Sequence, residues 1–427
     1  MRIQADLKDQ DQGNRWIALA VCLQVLLVGI KNMLIQAFPD LYEDNYEWNI
    51  VLFGVVGVAY VLAYVSLGRR MISFSPLSLA LVAFVAISVA LSALLHPHGL
   101  VRYGELFSYL LPFGLLTAFI ITRMTTLEWI AYYMERFAYI IIGVALVCVI
   151  AILTIGHTTT SEWSTYSMSL SNVIMVGVIW LLYRYFESQK WPALVGAFAG
   201  IAAILLCGSR SPLLAIVAYV VVKTVIKVVS KSTPNRERWI YVIWSALMIL
   251  FFLFFEVIVG VADYLLAQLG IYSRSIGLLE SDLFFDSGRS QIHERLIAEI
   301  NKSPILGLGI GGDMEIIDWA AHNFYLSVLS TYGYLVGILL LAVFAVMLIR
   351  AFRHSRGTNR EILLLYTCLF LPRSFTGNDI WRSDTPWWLL AIVIVILTGA
   401  KETGERVAPL EPAEEAEACA TSGGEPC

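Results

Sequence analysis

Apolar residues run through this chain in long stretches, divided by short polar ones. Twelve stretches approach the roughly 20 apolar residues that an α-helix needs to cross about 30 Å of hydrocarbon. They are 16–37, 50–67, 76–95, 103–122, 137–155, 168–186, 191–207, 211–229, 239–259, 323–349, 362–375 and 386–399. The eleventh is short and runs into Pro372-Arg373, so the count falls to eleven if that segment re-enters rather than spans. Gly208-Ser209-Arg210 alone separates the seventh stretch from the eighth, which predicts a tight helical hairpin. The fold class that follows is an all-α polytopic membrane protein with about 12 transmembrane helices.

One connection is far longer than the others. The pattern divides the chain into helices one to nine (1–259), a large loop (260–322), helices ten to twelve (323–399) and a tail (400–427). Loops beyond about 12–15 residues are usually functional or disordered. This loop carries apolar residues such as Tyr264, Leu269, Leu279 and Phe284, which argues for order. Within it, Ile292, Leu296 and Ile300 repeat at i, i+4 and i+8, with Asp286 or Ser287 placed to cap and Pro304 just beyond. That pattern predicts an amphipathic helix lying on a membrane surface or over a cavity. The tail is acidic, with Pro and Gly, and reads as disordered.

Composition agrees with the pattern. Hydrophobic residues make up 58% and charged residues 15% of the 427, against roughly 45–50% and 25% in soluble domains. The net charge of −4 includes no basic block suited to nucleic acid. The polar start (Met1 to Arg15) followed by an apolar run reads as a first spanning helix, with no cleavable signal peptide. With the N-terminus inside, 20 of the 29 Lys and Arg residues fall on the cytoplasmic side, as the positive-inside rule requires. Both termini are then cytoplasmic, and the large loop is extracytoplasmic. The six cysteines contain no Cys-x-x-Cys spacing, which signals neither a zinc site nor a redox pair.

Candidate chemistry gathers on one side. Arg289 and His293 are four residues apart on the amphipathic helix and share a face. The run from Ser303 to Gly312 is rich in glycine and precedes an acidic stretch. It contains Gly307, Gly309 and Gly312 at dinucleotide spacing, but no predicted strand precedes it, and a bend that lets backbone approach another element is the better account. His322-Asn323 opens helix ten, Gly333 and Gly337 follow inside it, and Arg210 ends the hairpin. Taken singly, each has a plain explanation. Arginines at helix ends anchor to headgroups, a histidine at a helix start caps it, and Arg373, Asp379, Arg382 and Asp384 suit structural pairing.

Together these residues resemble the bacterial O-antigen ligase and polymerase superfamily. Segment 287–337 holds an Arg early in the loop (Arg289), a Pro-x-x-Gly-x-Gly turn (Pro304, Gly307, Gly309), a His-Asn opening the next helix, and spaced glycines. Gly208-Ser209-Arg210 matches a small-residue–Arg motif of that superfamily. The motifs cover about 55 residues, and the first 200 agree only in general hydrophobic character. The resemblance implies a glycosyltransferase of the bacterial plasma membrane, acting on its extracytoplasmic side. The donor would be an undecaprenyl-pyrophosphate-linked oligosaccharide and the acceptor another glycan. Flippase and chain-length regulator proteins would be its partners. Arg210 and Arg289 suit a pyrophosphate clamp, because guanidinium stays protonated and holds phosphate through forked hydrogen bonds. His322 suits a general base, and His293 and Asn323 complete the substrate-binding set. No cofactor or metal is expected. Tyr166 to Asn172 and the Gly208–Leu214 stretch lean toward a polymerase over a ligase that transfers glycan to lipid A–core. A lipid-linked oligosaccharide transporter is the reading from another class. It would favour charges midway along helices and two related halves, and neither is evident.

Overall fold

The computed structural model describes residues 2–38, 46–67, 74–102, 111–155, 168–207, 210–229, 234–268, 289–317, 321–377 and 379–399. Among these, all regular structure is helical. The first half holds α1 (Arg2–Ala37), α2 (Tyr46–Ser66), α3 (Pro76–Leu95), α4 (Pro97–Arg102), α5 (Thr117–Ile121), α6 (Glu128–Ile155), α7 (Met168–Ser188) and α8 (Trp191–Cys207). A π-helical turn, Leu111–Leu116, leads into α5. The second half holds α9 (Arg210–Val229), α10 (Asn235–Leu253), α11 (Phe255–Gln268), α12 (Arg289–Ile300), α13 (Gly312–Ile317), α14 (Phe324–His354), α15 (Gly357–Thr376) and α16 (Thr385–Leu397).

Nearly all of the described part of the predicted apolar stretches is helical. Among the described residues, six helices are long and apolar enough to cross a membrane, and three shorter apolar helices accompany them. The chain is therefore an all-α protein with helices suited to a membrane. Several boundaries differ from the pattern; α1 and α6, for example, begin at Arg2 and Glu128, ahead of their apolar stretches. The ninth stretch breaks at Phe254, and its second part, α11, runs on to Gln268 rather than ending at 259. The eleventh stretch is part of a longer helix, α15, that carries Pro372 inside its last turns. The acidic loop at 39–45, the Gly208-Ser209 pair, residues 269–288 with the capping candidates Asp286 and Ser287, and the 401–427 tail lie outside the described residues.

Burial sorts the helices. α16 is apolar on every side, and Trp387, Trp388, Leu389 and the run from Ala391 to Ile396 are all buried. A helix that is apolar all round needs apolar surroundings all round, and α5, α14 and α15 supply them. α1, α6, α7 and α8 pack against one another beside it. α14 is the opposite case. Leu335, Ile338, Leu339, Val343, Val346 and Ile349 are exposed along it, as are Val58, Val61 and Val65 of α2. Apolar stripes of this length suit contact with lipid tails rather than water.

Two ends can be distinguished. At one, late α7, late α9 and early α15 meet around the fully buried Lys223. Its Nζ donates to Glu187 Oε1 at 2.9 Å and also to Glu361, and Lys227 lies 3.4 Å from Glu187. A charge buried this deeply is tolerable only when paired and hydrogen-bonded. At the other end, Ser211 Oγ lies 2.7 Å from Thr376 Oγ1, joining the start of α9 to the end of α15. Ser374 Oγ donates to Tyr325 Oη at 3.2 Å, joining α15 to the start of α14. The second end carries the candidate site.

The glycine-rich run docks there. Gly333 breaks α14 with φ 73° and ψ 175°. The carbonyls of Ser330 and Thr331 turn outward and accept from the N–H groups of Leu308 (2.6 Å) and Gly309 (3.1 Å), while Tyr334 N–H donates to Pro304 O at 2.7 Å. Non-helical backbone at membrane depth persists only where protein satisfies its polar groups, and these three bonds do so. Gly307 and Gly309 also take positive φ. A Cβ on Gly309 would lie 2.9 Å from the His96 ring, and Ile310 N–H donates to Ser92 Oγ at 2.9 Å, so α3 holds the far side of the turn.

A Cβ at position 333 would meet the Ile305 carbonyl at 2.7 Å. Gly333→Ala is therefore expected to destabilise the docked turn by roughly 1–3 kcal/mol. Limited proteolysis in detergent should then cut within 303–317, where the wild-type chain resists. Equal protection of both would count against this account.

Candidate functional site

His322 stands between two anchored neighbours. Asn323 is the N-cap of α14, with extended backbone and a side-chain oxygen that accepts from Leu326 N–H at 3.0 Å. This is how a polar residue satisfies one of the orphan donors of a helix start. On the other side, Ala321 N–H donates to Asp313 Oδ2 at 3.3 Å, and Ala321 O accepts from His293 Nε2 at 3.1 Å. Because a carbonyl only accepts, His293 carries its proton on Nε2. His322 itself adopts the left-handed conformation, with φ 49°, which is uncommon outside glycine though histidine is among the residues enriched there.

The amphipathic helix predicted over the loop is α12, and it lies on the protein. Leu296 and Ile300 are buried with Ile317, Ala321 and Leu326, and Ile292 packs against that cluster. This satellite core fastens α12, α13 and the start of α14 together. It brings Arg289 and His293, one turn apart on α12, near His322. Residues between α15 and α16 complete the ring. Asp379 is buried and accepts from Trp381 N–H at 2.8 Å, and Ile380 N–H donates to Ser327 Oγ at 3.4 Å.

The electrostatics follow from that arrangement. Burial of His322 and the nearby positive charges of Arg289, Arg382 and His293 hold its pKa below the ordinary histidine value. Each of these disfavours imidazolium, so the ring is neutral at pH 7. Asp313 is buried and faces Asp379. Burial and that second carboxylate push it up to about 7, against the hydrogen bonds from Ala321 and Met314 and the charge of Arg382. Neither Arg289 nor His322 makes a side-chain hydrogen bond or ion pair with a described residue. A guanidinium and a neutral imidazole thus lie together, open to a ligand, where the loop closes on the bundle.

The other sequence candidates fall into place around them. Arg210 is the first residue of α9, at the same end as His322 through the Ser211–Thr376 and Ser374–Tyr325 contacts; its side chain lies outside the described atoms. His293 and Asn323, expected to bind substrate, are both engaged with the protein's own backbone. The sequence pattern does not place Asp313, Asp379 and Arg382 in the site, because no spacing links residues contributed by two segments more than 60 residues apart. A cavity of about 220 Å³ lies beside this end, lined by Gln24, Asn32, Asn172, Arg373, Asp384 and Trp388 among others. Arg373 reaches across it to Thr385 Oγ1 at 3.4 Å. These polar residues come from four helices, and hydropathy alone reads them as isolated interruptions. Among the described residues, the free cysteines Cys22, Cys148 and Cys368 are buried, which fits packing.

Removing the Arg289 charge should let His322 titrate at higher pH. Histidine-selective nitrogen NMR of wild type and Arg289→Gln measures this directly, and an unmoved or lowered His322 titration would contradict the placement of Arg289. No protein-family model matches the chain, and no curated protein matches it.

Proposed function

We propose that this chain is an integral-membrane glycosyltransferase that polymerises undecaprenyl-pyrophosphate-linked oligosaccharide units of a surface polysaccharide. The observation that carries the reading is the pairing of an uncommitted arginine with a neutral, uncommitted histidine where a loop closes onto apolar helices. A lipid-linked substrate has its reactive group at that depth. The order of Arg289, the Pro304–Gly309 turn and His322-Asn323 supports the same class. Twelve spans, cytoplasmic termini and an extracytoplasmic site in a bacterial plasma membrane belong to this proposal, supported by 20 of 29 Lys and Arg residues falling on one side.

The chemistry is an inverting displacement. The acceptor hydroxyl oxygen attacks the anomeric carbon, and its proton passes to His322. The bond from that carbon to the pyrophosphate oxygen breaks, and its electron pair leaves with the undecaprenyl pyrophosphate. Arg289 and Arg210 stabilise the negative charge that grows on the leaving group. Arg289 has a second effect. In the free protein its charge opposes protonation of His322. Bound pyrophosphate offsets that charge, so His322 becomes a stronger base when the donor is in place. Two arginines acting in this way make a divalent cation unnecessary.

Purified protein in lipid nanodiscs, given lipid-linked repeat units from its host, is expected to lengthen the glycan. Arg289→Lys, Arg210→Ala and His322→Ala should each lower the rate at least about a hundredfold with membrane insertion intact. Normal polymer length from His322→Ala would overturn the base assignment. Activity lost to a chelator and restored by magnesium would overturn the metal-free step. Transfer only when lipid A–core is supplied would make the protein a ligase.

A further inference from the structure

His322 is the residue the proposed reaction depends on most, and its backbone is held in an uncommon conformation by side chains from two other segments. Asp313 on α13 takes the Ala321 N–H, and His293 on α12 takes the Ala321 carbonyl. That carbonyl belongs to the same peptide plane as the His322 nitrogen. Asn323 is fixed on the far side as the cap of α14. With the residues before and after it pinned, His322 is left with the left-handed conformation that joins them. A conformation of this kind persists only where its surroundings over-determine it.

We propose that Asp313 and His293 form a two-sided clamp on Ala321 that positions the His322 imidazole for proton transfer. The proposal rests on the glycosyltransferase reading above, and it concerns a positioning role only. Two features distinguish the clamp from general support of the fold. The apolar cluster of Leu296, Ile300, Ile317, Ala321 and Leu326 already fastens α12 and α13 to the start of α14, so the two hydrogen bonds are not what docks the loop. The clamp also arises from the same helix face that presents Arg289, since His293 lies one turn after it. The position of the imidazole is thereby tied to the position of the guanidinium. A leaving-group clamp and a base on independent segments would have no such tie.

The clamp needs an acceptor at position 313 and a donor at the Nε2 position of residue 293, with no requirement for charge. Asparagine supplies the first and glutamine the second. Asp313→Ala and His293→Ala are expected to lower kcat by about ten- to a hundredfold, with KM for the lipid-linked donor changed less than about twofold, as for a misplaced catalytic group. Asp313→Asn and His293→Gln should recover most of that loss. The double alanine variant should fall little below the worse single one, because both groups act on one residue. Histidine-selective NMR of the free protein provides a readout independent of turnover. The His322 ring resonances should move in each alanine variant and return toward wild type in Asp313→Asn and His293→Gln. An asparagine variant as impaired as the alanine one, or alanine variants with wild-type kcat and wild-type resonances, would overturn the clamp. If the wild-type protein transfers no glycan, the functional reading fails, and the resonances alone still decide the clamp. Should Asp313→Ala not fold, the His293 pair carries the test.

Discussion

Backbone polar groups that cannot reach water must bond within the protein, and the break in α14 is where that constraint shapes the molecule. At Gly333 the helix gives up its own ladder. Ser330 and Thr331 lose their partners on the next turn, and Tyr334 loses its acceptor. Leu308, Gly309 and Pro304 replace them one for one. The exchange requires backbone-to-backbone approach, which any side chain at 307 or 333 would obstruct. Docking of the glycine turn in turn fixes where α12 and α13 lie. Arg289, His293 and Asp313 therefore owe their places to a helix that is interrupted on purpose.

Around His322 the fold concentrates positive charge. Arg289, Arg382 and His293 all act on the ring, and burial strengthens each of them. The opposing carboxylates, Asp313 and Asp379, are buried beside one another. Like charges so placed disfavour ionising together. The contrast with the other end is instructive. There the buried Lys223 is met by two glutamates, and the charge serves to hold three helices together.

The legible part of this protein was its period and its punctuation. Long apolar runs gave nearly every helix, since a backbone in hydrocarbon has few alternatives to α. Ile292, Leu296 and Ile300 gave α12 and its buried face, because three residues at that spacing on one helix face need a common partner. His322-Asn323 before an apolar run gave a helix start, and the glycines gave a close backbone approach. The boundary of the ninth helix was less legible. Phe254 and the residues after it are as apolar as those before, so hydropathy carries no mark of the break.

The sequence by itself thus determined an all-α chain suited to a membrane, the candidate trio of Arg210, Arg289 and His322, and the helix that carries the second of these. Those properties depend on residues near one another along the chain. Tertiary structure alone decided that His293 holds the Ala321 carbonyl, that Arg382 belongs to the same cluster as His322, and that the polar residues of four helices enclose one cavity. Those relations join segments dozens to hundreds of residues apart. Burial and charge proximity, which set the state of His322 and Asp313, exist only once those segments have packed.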